Sequence, residues 1–146
     1  MGVIGEAFHL NQNNSDITET DGTANAWSDV WDYQVPTGIS HIISPEHTLA
    51  FYIEDDSPAE VGNGDCQIRI EIRDTTENDR RVIFGPIQYV RVKEFQDSRS
   101  KAKFNVADDV VVKERYHIVV VAKDNGTIDA SDSYFDLEME RVRETL

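Results

Sequence analysis

Residues 116–122 read Tyr-His-Ile-Val-Val-Val-Ala, and this run restricts the fold more than any other stretch of the chain. Successive side chains of an extended chain point to opposite faces. Tyr116, Ile118, Val120 and Ala122 then share one face, while His117, Val119, Val121 and Lys123 share the other, so apolar groups lie on both. Such a strand needs cover on two sides, which predicts a central place in a sheet. Beyond the polar stretch 124–133, Phe135, Leu137 and Met139 alternate with Asp136, Glu138 and Glu140. This second strand has one wet face, and the two together read as a hairpin around an acidic turn.

The same alternation recurs along the chain. Trp27, Trp31, Tyr33 and Val35 follow period two for the most part, and Pro36-Thr37-Gly38 supplies a turn before residues 39–43. Leu49, Phe51 and Ile53 alternate next, and after the loop 58–65 Cys66, Ile68, Ile70 and Ile72 face in while Gln67, Arg69, Glu71 and Arg73 face out. Short strands at 80–84 and 87–95 flank a break at Gly85-Pro86, with Pro86 favouring an edge or a strand start. Ala102, Phe104 and Val106, then residues 110–112, complete the count. Eight or so short strands, polar turns and no amphipathic helix predict an all-β chain folded as an antiparallel β-sandwich. Residues 1–26, rich in Asn, Thr, Asp and Ser from 11 onward, read as an extended N-terminal arm and loop, and 27–146 as a single sandwich domain. A neighbouring subunit would hold the arm, or it would pack on its own sandwich.

Two topologies fit. Eight strands with long loops favour a jelly roll. The second is immunoglobulin-like, because Val110-x5-Tyr116-x-Ile118-x-Val120-x-Ala122 resembles the corner of fibronectin type III domains, where a tyrosine hydroxyl returns to the preceding turn. Lys113-Glu114-Arg115 stands where that corner commonly has Gly or Pro.

Acidic residues outnumber basic ones 28 to 14, and the net charge of −14 is spread along the chain. An acidic surface repels phosphate backbones and anionic headgroups, so neither nucleic acid nor membrane is expected as a partner. The basic stretch Arg91, Lys93, Arg99, Lys101 and Lys103 is interrupted by Glu94 and Asp97 and reads as a solvated face. Arg exceeds Lys and Asp is abundant, a balance similar to that of halophilic proteins and equally open to an acidic mesophilic one. Cys66 is alone and in phase with Ile68, so a buried thiol is expected and no intrachain disulfide. Residues 1–10 lack a basic start and a long apolar run, which argues against a signal peptide, and no stretch has the length of a membrane span. From these features alone a cytoplasmic location is expected.

Asp124, Asp129 and Asp132 form the most ligand-like cluster, since calcium takes oxygen donors from flexible loops. Gly126 breaks the EF-hand spacing, and Asx turns on an acidic surface explain the same residues. No cofactor other than calcium is suggested. His9, His41, His47 and His117 make neither H-x-H nor H-E-x-x-H, and His41 with His47 reads as a chance surface pair. No serine sits in a G-x-S-x-G elbow, and Gly62-Asn63-Gly64 opens no helix that would bind phosphate. No catalytic residue is identified, and an enzyme is not expected. Trp27, Trp31 and Tyr33 would stack on sugar rings if exposed, although a core stripe is the commoner fate of such spacing.

An acidic sandwich with a polar arm and the run W-x-Y-x-V-P-x-G (Trp31, Tyr33, Val35, Pro36, Gly38) resembles the capsid decoration and auxiliary proteins of tailed double-stranded DNA viruses, those of halophilic archaea in particular. The resemblance implies a structural virion protein on the capsid surface, binding the major capsid protein as a homo-oligomer, with a trimer favoured, and stabilising the shell. A carbohydrate- or receptor-binding module, in a turret or tail, is the alternative. On the capsid reading the arm, residues 1–26, and one exposed sheet edge would make the contacts, whereas the alternative would use Trp27, Trp31 and Tyr33.

Overall fold

The computed structural model describes residues 2–12, 27–52, 67–88, 92, 101–123 and 134–145. Strand β9 (His117–Lys123) is central, as its two apolar faces require: it pairs with β2 (Ser28–Gln34) on one side and β5 (Gln67–Arg73) on the other. Strand β6 (Arg80–Gln88) lies beyond β5, giving a four-stranded antiparallel sheet ordered β2-β9-β5-β6.

The second sheet is built on β10 (Tyr134–Thr145). Strand β1 (Gly2–Gln12) follows one side of it in unbroken register from Gly2 opposite Thr145 to Gln12 opposite Phe135. Two short strands share the other side: β4 (Leu49–Tyr52) pairs with residues 134–137 and β3 (Ile39–Ile43) with residues 140–143. Outside them, β7 (Ala102–Phe104) pairs with β4 and β8 (Val110–Val112) with β3. Each of these couples is one strand interrupted, at 44–48 and at 105–109. The interruptions sit together, where the Asn105 side-chain amide donates to the His47 carbonyl at 2.9 Å and the Glu138 N–H donates to the Thr48 carbonyl at 3.0 Å.

Counting each interrupted pair once, the first, eighth, third and sixth strands face the second, seventh, fourth and fifth, which is the jelly-roll order. The immunoglobulin-like alternative puts the first two strands in one sheet; here they lie in different sheets. At the corner before β9 the Tyr116 backbone does the work. Its carbonyl accepts from the Val35 N–H at 2.8 Å and its N–H donates to the Lys113 carbonyl at 3.1 Å, while its ring packs on the core.

Three expectations change. The strands at 116–122 and 135–139 are not a hairpin: β9 and β10 belong to opposite sheets, and each turns its apolar residues toward the other across the core. Residues 2–12 of the stretch read as an arm form the edge strand β1, and residues 13–26 lie outside the described residues. The expected break at Gly85-Pro86 falls inside β6, an edge strand, where the pairing with β5 shifts register. Gly85 takes φ +86°, and a Cβ there would stand 2.8 Å from the Ile68 carbonyl oxygen, so the bulge admits only glycine without strain.

The core fills the space between the sheets. Phe51 of β4 is fully buried and meets Phe135 edge-on at 5.5 Å, with Phe84 at 5.8 Å and Phe104 at 6.2 Å. Phe51→Ala removes the centre of this cluster and is expected to cost about 3–5 kcal/mol in denaturant unfolding. Val111→Ala, at a side chain 59% exposed, is expected to stay within about 0.5 kcal/mol.

Candidate functional site

Alternation in β5 predicts a wet face, yet Glu71 is only 1% exposed and Arg73 only 2%. Strand register explains the correction. Arg69 lies beside Val121 with Asp29 beyond it, Glu71 beside Val119 with Asp32 beyond it, and Arg73 beside His117. Charged residues of β2 and β5 therefore flank an apolar strip, and Val119 and Val121 are buried although they face away from the core between the sheets. A bulge in β2 between Asp29 and Trp31 sets this phase.

The charges neutralise one another. Arg73 grips Asp29 with two hydrogen bonds of 2.7 Å, donates to Glu71 at 3.3 Å and reaches Glu77 at 3.2 Å. Arg69 donates to the other Glu71 oxygen at 2.6 Å and lays its guanidinium 3.9 Å from the Trp27 ring centroid. Hydrogen bonding to Arg73 and its charge hold the Asp29 carboxyl below its ordinary value, and the Asp29 contact in turn holds Arg73 above its own. Glu77 comes from the turn 74–79, whose Asp74 carboxylate accepts from the N–H groups of Asn78 and Asp79 and from the Thr76 hydroxyl. At the edge of this array the His117 Nδ1 lies 2.7 Å from the Asp32 Oδ1. One ligand atom each from Asp32, Glu77 and His117 falls within 4.8 Å of the others.

Residues picked from sequence end up apart. Asp124, Asp129 and Asp132 lie outside the described residues, as do Cys66 and the loop 58–65. Trp31 is buried in the core, Tyr33 packs against it, and Trp27 sits half-buried under Arg69 with the Lys123 ammonium 5.3 Å from its ring. The three rings thus make no single exposed platform, because the bulge turns Trp31 inward. His41 and His47 are no surface pair. His47 accepts from the Ser44 N–H at 2.9 Å within a turn, whereas His41 is fully buried between Phe8, 4.9 Å away, and Tyr33, whose hydroxyl lies 3.2 Å from its Nε2. Burial lowers the basicity of His41, against the pull of the Glu140 backbone and with the Arg141 charge adding to the fall; its Nδ1 has no hydrogen-bond partner among the described residues. Burial also raises the neighbouring Tyr33 hydroxyl. Lys101 and Lys103 line an open groove of about 440 Å³ on the outside of the six-stranded sheet, where Asp136 holds His9 at 2.9 Å and Lys101 at 3.8 Å.

Sequence reasoning missed the Asp32, Glu77 and His117 grouping, since 45 and 40 residues separate its members. The phase of His41 with Ile39 and Ile43 was the available signal for its burial.

Arg73→Ala leaves Glu71 buried with one cation fewer and is expected to cost about 3 kcal/mol in denaturant unfolding; Asp29→Asn, at a half-exposed partner, is expected to cost at most about 1 kcal/mol. The pH dependence has two windows. Folded His41 takes up a proton less readily than it does in the unfolded chain, so its contribution is full above about pH 6.5 and is lost as pH falls from there through the lowered folded value. Asp29 behaves alike around a lower point: its contribution holds above about pH 4 and fades below it. Unfolding free energies measured between pH 7 and 5 are therefore expected to fall less steeply in His41→Leu than in the parent chain.

No protein-family profile matches the sequence, and no curated protein sequence does. Among solved structures, VP17, a capsid protein of bacteriophage P23-77, superposes with a TM-score of 0.63 at 9% identity, covering 99% of this chain and 100% of that one. The two chains share a fold along their whole length.

Proposed function

We propose that this chain is a structural protein of a virus particle. The likeness of fold to a phage capsid protein over the full length of both chains carries the reading. One strand supplies the physical means. β1 is the end of its sheet among the described residues, runs for eleven residues without a register shift, and contains neither Lys, Arg nor Pro. Natural edges usually carry such residues or a bulge, because an open row of N–H and C=O groups invites another strand. Glu6 is the charged residue of β1, and Arg141 takes it with bonds of 2.9 and 2.7 Å. In a chain with a net charge of −14, β1 itself adds no unpaired carboxylate at the edge that another strand would meet.

A decoration protein that binds the outside of a shell formed by a major capsid protein, as a trimer, is the narrower form of this role; a subunit of the shell itself is the other. Neither needs a catalytic residue.

Particles purified from the source are expected to contain the chain in fixed ratio to a shell protein, and a chain that stays soluble and never co-sediments overturns the proposal. Selective stripping then separates the two forms: shells that keep their shape without it were decorated by it, and shells that fall apart were built from it. Ala7→Lys, on the exposed face of β1, is expected to lower incorporation while changing the stability of the isolated chain by no more than about 0.5 kcal/mol.

A further inference from the structure

We infer that Asp32, Glu77 and His117 bind one divalent transition-metal ion, for which zinc is the best match. The three residues converge from three separate segments: Asp32 from β2, His117 from β9 and Glu77 from the turn 74–79. An imidazole with two carboxylates is a borderline donor set that suits zinc, whereas calcium and magnesium take oxygen ligands throughout. Metal–ligand bonds of about 2.1 Å place neighbouring tetrahedral ligands about 3.4 Å apart. The donor atoms, already within 4.8 Å of one another, reach that spacing by side-chain rotation. Asp32 and Glu77 are 38% and 37% exposed, which leaves them free to turn and leaves the remaining coordination positions open to water.

Charge within the array points the same way. Arg73 is shared among Asp29, Glu71 and Glu77, and its contact with Glu77, at 3.2 Å, is longer than the two to Asp29. Its partners Asp29 and Glu71 keep it neutralised when Glu77 turns away. Among the described residues His117, at 2.7 Å, is the partner of Asp32, and no lysine or arginine offers that carboxylate charge compensation. A dication between Asp32, Glu77 and His117 supplies that compensation and ties the turn 74–79 to β2 and β9. The ion would close one end of the charged array that covers Val119 and Val121.

The chain is stripped with a chelator and titrated with zinc against a chromophoric competitor. One ion per chain is expected, unaffected by millimolar calcium, and affinity is expected to fall at least about tenfold in His117→Gln and in Asp32→Asn. The same affinity in both folded variants places any bound zinc elsewhere and overturns the site, as does failure of the parent chain to compete for zinc at all. Circular dichroism checks that each variant folds. Should the strand variants fail to fold, Glu77→Gln, on the exposed turn, decides by the same criterion.

Discussion

Both sides of β10 are hydrogen-bonded along most of its length, and the six-stranded sheet depends on that one strand. On one side β1 matches it over eleven residue pairs. On the other, β4 and β3 take successive stretches, so β10 is the continuous rail that keeps two interrupted strands in line. Alternation within β10 sends Phe135, Leu137 and Met139 inward, and the same backbone that aligns the sheet thereby fills half of the core. The Glu140 side chain lies over Gly5, and a Cβ there would have to push that carboxylate aside.

Strand positions were legible because alternation is a property of single strands, and β5, β9 and β10 show it plainly. Sheet membership was not. Period two tells which face of a strand is apolar, but β9 and β10 have the same signature whether they pair with each other or face each other across the core. Two interruptions hid further information, since residues 44–48 and 105–109 look like ordinary turns until strand order shows that each divides a single strand. The charged face of β5 was misjudged for a related reason: Arg69, Glu71 and Arg73 read as wet when taken alone, and only the register with β2 and β9 sets Asp29 against Arg73. Asp32, Glu77 and His117 come from segments 45 and 40 residues apart, so no local spacing could have announced their grouping.

The array on the four-stranded sheet shows how charged side chains can cover the second apolar face of a strand, with no third layer of secondary structure among the described residues. Val119 and Val121 need cover, and long side chains supply it: Arg73 reaches across the apolar strip to Asp29, while Arg69 meets Glu71 on its own strand and lies over Trp27. Desolvating Arg73 and Glu71 is costly, and each is tolerated because several partners surround it. That arrangement is specific in a way that an apolar cover is not, because one shift of register between β5 and β9 would separate the ions.

Charge therefore divides the molecule's surface by role. Arg69 and Arg73 on the four-stranded sheet are consumed within its own array, and Lys101 on the other sheet faces Asp136. The net charge of −14 remains for the rest of the surface, where it opposes close approach of a second copy. At an edge such as β1, Arg141 neutralises the carboxylate of the strand itself, and open backbone groups offer hydrogen bonds in return. Contacts through such an edge draw their strength from hydrogen bonds and fixed register, which salt screens far less than they would an attraction between charged faces. An acidic chain can in this way remain soluble as a single copy and still add a neighbour in one defined orientation.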